Sequence, residues 1–319
     1  MGNTLSTAIE ICELTHRYGR RIALDALTIS IDRGEIFAFL GPNGGGKTTL
    51  FRVLSTLVPV QQGQVRVGGG LLPEAAPLVR RRIGVVFQSP SLDRYLTVDE
   101  NLRFQAALYG VRGPLLAERR EELLTQLGLT ARRKERVQQL SGGLRRRVEL
   151  AQGMIHRPDI LLMDEPSTGL DPGARHDLWT YWERLRRDHN VTIVLTTHLL
   201  EEAERADRIA ILSQGRLVAL GAPESLKASI GGDAITVRCS AAEALREAIA
   251  ERFAIPVRLV DGELHLEQPE GAHWIARLME AFGDQIDSIT LGRPSLADVF
   301  IDKTGHRFWS ETPDEQPRG

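Results

Sequence analysis

A glycine-rich loop between an apolar run and a lysine constrains the possible folds of this chain more than any other feature. The loop follows the strand-like run Ile36–Leu40 and reads Gly41, Pro42, Asn43, Gly44, Gly45, Gly46, Lys47 and Thr48. Glycines allow consecutive backbone N–H groups to point at phosphate oxygens, and a helix that begins at Lys47 adds the positive end of its dipole. The pattern therefore predicts a strand, a loop that binds the phosphates of a nucleotide, and a helix. A glycine-rich turn without a ligand is the alternative interpretation of this loop taken alone.

The chemistry expected at the loop depends on Lys47, Thr48 and two later strand ends. Lys47 is expected to reach the β- and γ-phosphates, and the Thr48 hydroxyl is expected to bind Mg²⁺. An apolar run ends in Asp164 and Glu165, and α/β sheets bind their ligands at the carboxyl ends of strands. Asp164 can hold the Mg²⁺ shell, and Glu165 can polarise a water molecule against the γ-phosphate. An acidic pair can also begin a solvated loop, but the apolar strand before this one favours the catalytic interpretation.

A histidine follows a third apolar run, Thr192–Thr196. Taken alone, His198 is more often an ordinary histidine at a strand end. Because its strand is predicted to end at the same sheet edge as the acidic pair, we expect it to contact the γ-phosphate.

The residues Leu140 to Gly143 lie between the loop and the acidic pair, and this order of motifs resembles the ATP-binding cassette (ABC) ATPases from Ile9 to about Ala222. In that family the sequence matched by Leu140 to Gly143 is the signature, which binds the nucleotide held by a second chain. Besides the loop, the nucleotide-binding residues that the resemblance implies are Tyr18 on the adenine, Thr49, Ser141, Gly142, Gly143 and Asp171. It implies a catalytic role for Glu165, His198 and Gln88, and it places Thr48, Gln88 and Asp164 on Mg²⁺.

The resemblance implies an ATPase that forms a homodimer with two shared ATP sites. Each ATP would lie between Gly41–Thr48 of one chain and Ser141–Gly143 of the other, so that ATP favours the closed dimer and hydrolysis withdraws that preference. The segment Pro294–Phe300 and the signature run through Arg147 resemble the ATPase subunits of ABC-2 type exporters, the daunorubicin-resistance kind among them. A separate transmembrane permease subunit is therefore implied, with this chain bound peripherally at the cytoplasmic face of the membrane.

Two other classes of protein stay open beside an exporter subunit. A soluble ABC ATPase of translation or DNA repair would carry tandem cassettes or a long coiled coil, and the sequence has neither. A module that senses nucleotide without turnover is the second alternative, and the presence of Glu165 and His198 argues against it. Lys and Arg number 40 against 42 Asp and Glu, so the net charge lacks the basic excess of a nucleic-acid binder, and no nucleic-acid partner is expected. No window approaches the ~18 consecutive apolar residues of a membrane helix.

Three residues depart from the commonest pattern of the family. Gly45 stands where alanine is common, and Thr48 stands where serine is common but keeps the hydroxyl. Leu144 replaces the glutamine that usually closes the signature. This change removes an amide next to the γ-phosphate of the opposing site, so it is expected to bear on the hydrolysis rate and the dimer affinity rather than on ATP binding.

The expected fold is an α/β P-loop cassette at residues 1–230, with a mainly parallel core sheet, an antiparallel β layer and a helical subdomain from Thr97 to Leu129. Ser141 is expected to cap a helix whose outer face carries Arg145, Arg146 and Arg147, either as a solvated face or as an anion contact. The segment from Gln88 to Tyr109 matches the family region that receives the membrane subunit. Exposed apolar residues there, such as Leu92, Tyr95 and Leu96, are expected to form the docking patch, with a core of the helical subdomain as the comparable alternative for any one of them.

The rest of the chain is expected to form a second domain at residues 231–306. Apolar patterns in the order β-α-β-β-α-β predict a small α+β ferredoxin-like domain. It shows no acid–base pair and no spacing of metal ligands, so a regulatory or dimer-stabilising role is expected. Residues 307–319 are expected to be a disordered tail.

Overall fold

The computed structural model describes residues 7–308 of the chain. The chain divides into two compact units, of which the first reaches to Leu217 and the second begins at Val218. The division therefore falls before the expected boundary at residue 230. The tail expected to be disordered lies outside the described residues from position 309 onward, and Phe308 is buried.

Two sheets build the first unit. The antiparallel sheet consists of β1 (Thr7–Tyr18), β2 (Arg21–Asp32), β4 (Gln62–Val67) and β5 (Gly70–Leu72). The larger sheet consists of β3 (Ile36–Leu40), β6 (Ile83–Val86), β7 (Ile160–Asp164), β8 (Thr192–Thr197) and β9 (Arg208–Ser213), and its edge strand β10 (Arg216–Gly221) runs across the division at Leu217. The strand orders are β2-β1-β4-β5 and β10-β9-β3-β8-β7-β6. The predicted antiparallel layer is confirmed, since Ile9 pairs with Ile31 and Ile11 pairs with Ile29.

The core of the larger sheet is parallel, as the apolar runs predict. β3 pairs in parallel with β8 and β9, and β7 pairs in parallel with β6 and β8. Every residue of β3, β7 and β8 is buried, which is typical of parallel strands covered on both faces. Because these strands share a direction, the glycine-rich loop, the acidic pair and His198 all follow strands that end at one edge of the sheet.

Seven helices of the first unit connect these strands: α1 (Lys47–Leu54), α2 (Ala76–Arg82), α3 (Val98–Leu108), α4 (Gly113–Gln126), α5 (Gly142–Met154), α6 (Pro172–His189) and α7 (Leu200–Ala203). Single 3₁₀ turns lie at Thr130–Arg132 and Val137–Gln139. The predicted helical subdomain is confirmed by α3 and α4. The side chain of Thr97 begins α3 by accepting from the Glu100 backbone while Glu100 reaches back to Thr97, a reciprocal capping box.

The second unit contains the predicted β-α-β-β-α-β order. Its elements are α8 (Pro223–Ala228), β11 (Asp233–Arg238), α9 (Ala242–Phe253), β12 (Arg258–Val260), β13 (Glu263–Gln268), α10 (Gly271–Phe282), a 3₁₀ turn (Gly283–Gln285), β14 (Ser288–Gly292) and α11 (Leu296–Thr304). The sheet is antiparallel in the order β12-β13-β11-β14, which is the ferredoxin-like arrangement. α8, which was assigned from sequence to the first domain, packs against α11 in this unit.

Candidate active site

The glycine-rich loop connects the end of β3 to the start of α1, as the sequence predicts. Lys47 is only 4% exposed, and its Nζ donates to the carbonyl oxygens of Gly41 at 2.8 Å and Pro42 at 3.0 Å. Gly46 must be glycine, because its φ is 104° and a Cβ there would lie 2.8 Å from the Ala23 carbonyl oxygen. The first N–H groups of a helix have no partner within it, so the loop presents backbone donors and a cation to an anion.

Four side chains converge on the carboxylate of Glu165, which follows β7 and is buried. Its Oε1 lies 3.7 Å from Lys47 Nζ, and its Oε2 lies 3.2 Å from His198 Nδ1. Oε2 also accepts hydrogen bonds from Gln88 Nε2 at 3.2 Å and Thr168 Oγ1 at 3.4 Å. Glu165 adopts a φ of 46°, a left-handed conformation that costs on the order of 1–3 kcal/mol and concentrates at functional sites. The structure thus brings three of the predicted residues, Lys47, Gln88 and His198, to one carboxylate.

Asp164 lies beside this carboxylate, at the buried end of β7. Its Oδ1 accepts from Thr196 Oγ1 at 2.5 Å, and the same Thr196 oxygen accepts from the Glu165 backbone N–H at 3.0 Å. Burial raises the pKa of Asp164, while the Thr196 hydrogen bond acts in the opposite direction. Burial lowers the pKa of Lys47, and the carboxylates of Glu165 and Asp164 oppose that shift. Lys47 therefore offsets the charge of the two acids in this buried site, whereas the charge of Glu165 adds to the raised pKa of Asp164.

The donor set predicted for Mg²⁺ contains hard oxygen ligands. Thr196 engages Oδ1 of Asp164, and no residue in the described range 7–308 donates a hydrogen bond to Oδ2. The Gln88 side chain contacts Glu165 through its nitrogen, which leaves the amide oxygen unused by that bond. Thr48 is exposed at the start of α1. A carboxylate, an amide oxygen and a hydroxyl fit Mg²⁺ by their chemistry.

The signature residues lie at the exposed N-terminus of α5. Ser141 caps this helix, with its Oγ accepting from Leu144 N at 3.3 Å, and a Cβ built on Gly142 would meet no atom within 4 Å. Asp171 likewise caps α6, where its Oδ1 accepts from Ala174 N at 2.9 Å. Within the part of the chain that the structure describes, neither Ser141 nor Asp171 hydrogen-bonds to the Lys47–Glu165 cluster. One chain alone therefore does not join the signature to the phosphate loop.

The remaining predicted nucleotide contacts are Tyr18, Asn43 and Thr49. Tyr18 ends β1, is 45% exposed and meets the His16 ring edge-on at 4.9 Å between centroids. It pairs across the hairpin with Arg21, whose guanidinium nitrogen would lie 3.4 Å from a Cβ built on Gly44. The exposed tyrosine thus lies on a hairpin that borders the loop. Asn43 is exposed in the loop, and Thr49 is half-buried in the first turn of α1.

The expectation that Arg146 lies on the outer face of α5 is wrong, because this residue is 8% exposed. Its Nε donates to the Pro166 carbonyl at 2.7 Å, and its Nη1 donates to the Phe87 carbonyl and to Glu149 Oε2, both at 2.7 Å. Its neighbour Arg147 does reach outward, donating to Asp177 Oδ2 at 2.7 Å and to the Leu127 carbonyl at 3.2 Å.

The sequence contains a signal that identifies Arg146 as buried. Leu150 and Gly153 follow it at i+4 and i+7, and both are buried, so α5 has a second covered stripe beside the predicted one. Glu149 at i+3 supplies a counter-charge. Thr196, which holds both Asp164 and Glu165, was also missed, and a threonine within a buried strand carries no comparable sequence signal.

The patch expected to receive the membrane partner is exposed only in part. Tyr95 is 59% exposed, whereas Leu92 and Leu96 are half-buried. Two apolar residues of the predicted docking segment that were not named from sequence, Phe104 and Leu108, are 66% and 81% exposed one turn apart on α3. Across residues 7–308, none of the helices has both the length and the apolar character needed to cross a membrane.

Comparison with known proteins places these features in context. Residues 24–168 match a family model described as ABC transporter. The daunorubicin resistance ATP-binding protein DrrA2 of Streptomyces coeruleorubidus is 38% identical over 319 residues, covering 94% of this chain and 96% of its own. The Nod factor export ATP-binding protein I of Paraburkholderia xenovorans is 39% identical over 309 residues, covering 94% of this chain and 98% of its own.

Solved structures are similar to the cassette part of the chain. An ATP-binding subunit of an ABC transporter aligns with a TM-score of 0.65 and 30% identity, over 70% of this chain and 94% of its own. A dimeric ATP-binding cassette in a post-hydrolysis state, bound to ADP and phosphate, aligns with a TM-score of 0.61 and 26% identity, over 67% of this chain and 98% of its own.

Proposed function

The chain belongs to the ABC transporter family and is an ATP-hydrolysing subunit of the exporter type, and we propose how its residues perform that activity. Two copies enclose two ATP molecules, and the cycle of dimer closure and opening moves a separate membrane-spanning partner, to whose cytoplasmic face they bind. The observation that carries this proposal is the meeting of Lys47, Gln88 and His198 at the carboxylate of Glu165. A base that contacts phosphate-binding groups is placed for hydrolysis rather than for binding alone.

Glu165 is the proposed general base. Its carboxylate accepts the proton of the water that attacks the γ-phosphorus. The Gln88 amide, whose Nε2 lies 3.2 Å from Glu165 Oε2, orients the carboxylate and the water. Lys47 moves its ammonium from the Gly41 and Pro42 carbonyls onto the β- and γ-phosphates, where it offsets the charge of the transferring group. His198, 3.2 Å from the same carboxylate, donates to the γ-phosphate.

Three oxygen ligands would hold Mg²⁺ at this edge of the sheet: Thr48 Oγ1, Gln88 Oε1 and Asp164 Oδ2. When bound, the ion neutralises charge on the β- and γ-phosphate oxygens. Thr196 keeps the Asp164 carboxylate oriented through a 2.5 Å hydrogen bond. Because the same threonine oxygen receives the Glu165 N–H, it also aligns the metal-binding residue with the base.

The exposed N-terminus of α5 is the proposed contact to ATP on the second chain. Ser141 and Gly142 are open to solvent, and the free N–H groups and positive dipole of α5 favour a phosphate. ATP then bridges two chains, and loss of the γ-phosphate after hydrolysis removes the bridge. Leu144 cannot offer the amide common in the family, so this contact relies on the backbone and the Ser141 hydroxyl.

The membrane partner is proposed to dock on α3 and the segment before it. Tyr95, Phe104 and Leu108 expose large apolar side chains there, and such surfaces mark protein interaction sites. Leu96 is half-buried and its carbonyl accepts from Val137 N at 3.0 Å, so it contributes to the subdomain as well.

Replacing Glu165 by glutamine tests the proposed hydrolysis. The amide keeps the shape of the side chain but cannot accept the water's proton, so phosphate release should fall by roughly 10²–10⁴-fold while ATP affinity is kept. The variant should also accumulate an ATP-bound dimer in size-exclusion chromatography. Glu201→Gln, a nearby exposed glutamate on α7, is the matched control and should hydrolyse ATP normally.

Two results would contradict this function. If Glu165→Gln releases phosphate at the wild-type rate, Glu165 is not the general base. A wild-type chain that binds ATP with Mg²⁺ but releases no phosphate would instead favour a nucleotide sensor.

A further inference from the structure

Arg146 occupies a position that the hydrolysis mechanism above does not use. Besides the contacts to Pro166, Phe87 and Glu149, its Nη2 donates to the carbonyls of Glu165 at 3.2 Å and Asp164 at 3.4 Å. One guanidinium therefore reaches four backbone carbonyls and one carboxylate.

These carbonyls lie beyond the last paired residues of β6 and β7. The two strands pair as far as Val86 and Met163; Phe87 then leads to Gln88, while Asp164 pairs with Thr196 of β8 and leads to Glu165. Carbonyls beyond the end of a strand pair need other donors when they are buried. Arg146 supplies such donors from α5 and so bonds the end of β6 to the end of β7.

The two side chains that follow these strand ends are the ones that meet in the active site. Gln88 is the next residue after Phe87, and its Nε2 donates to Glu165 Oε2 at 3.2 Å. Arg146 thus holds the backbone from which both side chains of that hydrogen bond project. A larger distance between the backbones of Phe87 and Glu165 would directly lengthen the hydrogen bond between the Gln88 amide and the Glu165 carboxylate.

The guanidinium is suited to this arrangement in a way that an ammonium is not. It presents five N–H donors in a rigid plane, whereas lysine presents three donors on a flexible stem. Arg146 is also placed by its own neighbour, since Glu149 is 5% exposed and pairs with Nη1 at 2.7 Å.

We propose that Arg146 is a positioning residue that fixes the spacing of Gln88 and Glu165 and links it to the signature helix. α5 begins in the signature at Gly142, four residues before Arg146. The helix whose N-terminus is proposed to contact ATP on the second chain is therefore hydrogen-bonded, through Arg146, to the backbone of Glu165 in its own chain. Arrival of the second chain's ATP at Ser141 can then be transmitted to Glu165 through a single side chain. This inference rests on the proposed function, because it assigns Arg146 a part in hydrolysis by Glu165.

The test compares Arg146→Lys with Arg147→Lys in the full-length chain, using ATP with Mg²⁺. Arg147 is the matched control, because it is adjacent on α5 and donates to Leu127 and Asp177 instead of the strand ends. We expect kcat of Arg146→Lys to fall by about 10²-fold, the effect of a misplacement of about 1 Å at a reacting group. The ATP dissociation constant should stay within about threefold of the wild type, since no loop residue contacts Arg146. Arg147→Lys should keep both values.

Two further measurements separate positioning from folding. The double variant Arg146→Gln with Glu149→Gln removes both charges together, so no unpaired buried charge remains to unfold the chain. It should remain folded and still show the low kcat. In a Gln88→Ala background, Arg146→Lys should lower kcat by less than about a third of the factor that it shows in the wild type, because the Gln88–Glu165 contact that it positions is already absent.

The inference is overturned if Arg146→Lys or the folded double variant hydrolyses ATP at the wild-type rate. It is also overturned if the double variant Arg146→Lys with Gln88→Ala loses kcat by the product of the two single-variant losses. Failure of the proposed function gives a different pattern, in which Glu165→Gln itself retains hydrolysis.

Discussion

Protonation of His156 should destabilise the first unit as the pH falls. This residue follows the C-terminus of α5, and its Nε2 lies 2.9 Å from the Ile83 carbonyl at the start of β6. Its ring stacks on Tyr109 at 3.7 Å between centroids, and its buried Nδ1 has no hydrogen-bond partner among residues 7–308. A neutral ring that donates from Nε2 fits this environment, whereas a proton on Nδ1 would have no acceptor.

The size of the effect follows from the shifted pKa of this histidine. Burial lowers the pKa of His156 from its ordinary 6.5 to about 4, with the charge of Arg119 acting in the same direction and the Ile83 bond opposing it. Between these values the unfolded chain binds more protons than the folded chain. The contribution to stability is therefore full above about pH 6.5, declines as the pH falls, and is exhausted below about 4. At ~1.4 kcal/mol per pKa unit, the loss is about 2 kcal/mol at pH 5 and about 3 kcal/mol in total.

Urea unfolding of the wild type and His156→Gln at pH 7.5 and pH 5 measures this contribution. Glutamine can donate to the Ile83 carbonyl but does not titrate, so its stability relative to the wild type should improve by about 2 kcal/mol between the two pH values. The reasoning is refuted if His156→Gln and the wild type lose stability in parallel, or if nuclear magnetic resonance places the pKa of His156 near 6.5.

Three more predictions concern binding and assembly. Lys47→Ala should weaken ATP binding by at least ~10-fold by calorimetry, since a charge-assisted contact to the phosphates contributes about 1.5–3 kcal/mol; unchanged affinity would contradict the loop assignment. Leu108→Asp should reduce co-purification with the membrane partner by ~10-fold or more, because the 81% exposed leucine side chain would be buried on docking, and it should spare basal ATPase activity. Leu57→Asp is the control at another exposed leucine. Equal losses of co-purification in both variants would contradict docking on α3. Truncation after Gly221 should change ATP affinity by less than ~0.5 kcal/mol while altering dimerisation or transport, and loss of ATP binding by the folded cassette would contradict a purely regulatory second unit.

The sequence predicts the elements that carry the proposed nucleotide-binding residues well, because these elements are specified by adjacent residues. The strand, loop and helix around Lys47 are specified by apolar pattern and glycines, and the capping of α5 by Ser141 is specified by adjacent residues. The ferredoxin-like order of the second unit was predicted for the same reason, since periodicity and the Asp261–Gly262 turn are read within a few positions.

Predictions that needed the environment of a side chain were less complete. Leu96 was expected to be as exposed as Tyr95, but it is half-buried, while the larger exposed surface lies on α3 at Phe104 and Leu108. Exposure on a short helix depends on what packs against each face, and the packing partners are distant in sequence.

The sequence by itself predicted the residues proposed to bind and hydrolyse ATP, and it determined their order along the chain and indicated the strands that carry them. Only the tertiary structure decided that Lys47, Gln88 and His198 meet at Glu165, and that the partners of Arg146 are the carbonyls at the ends of β6 and β7. The physical reason is that a motif encodes the local backbone conformation, whereas a buried charge is positioned by carbonyls and carboxylates that reach it from separate strands. The sequence around Arg146, a run of three arginines, does not indicate those partners, because they come together only when the separate strands fold around it.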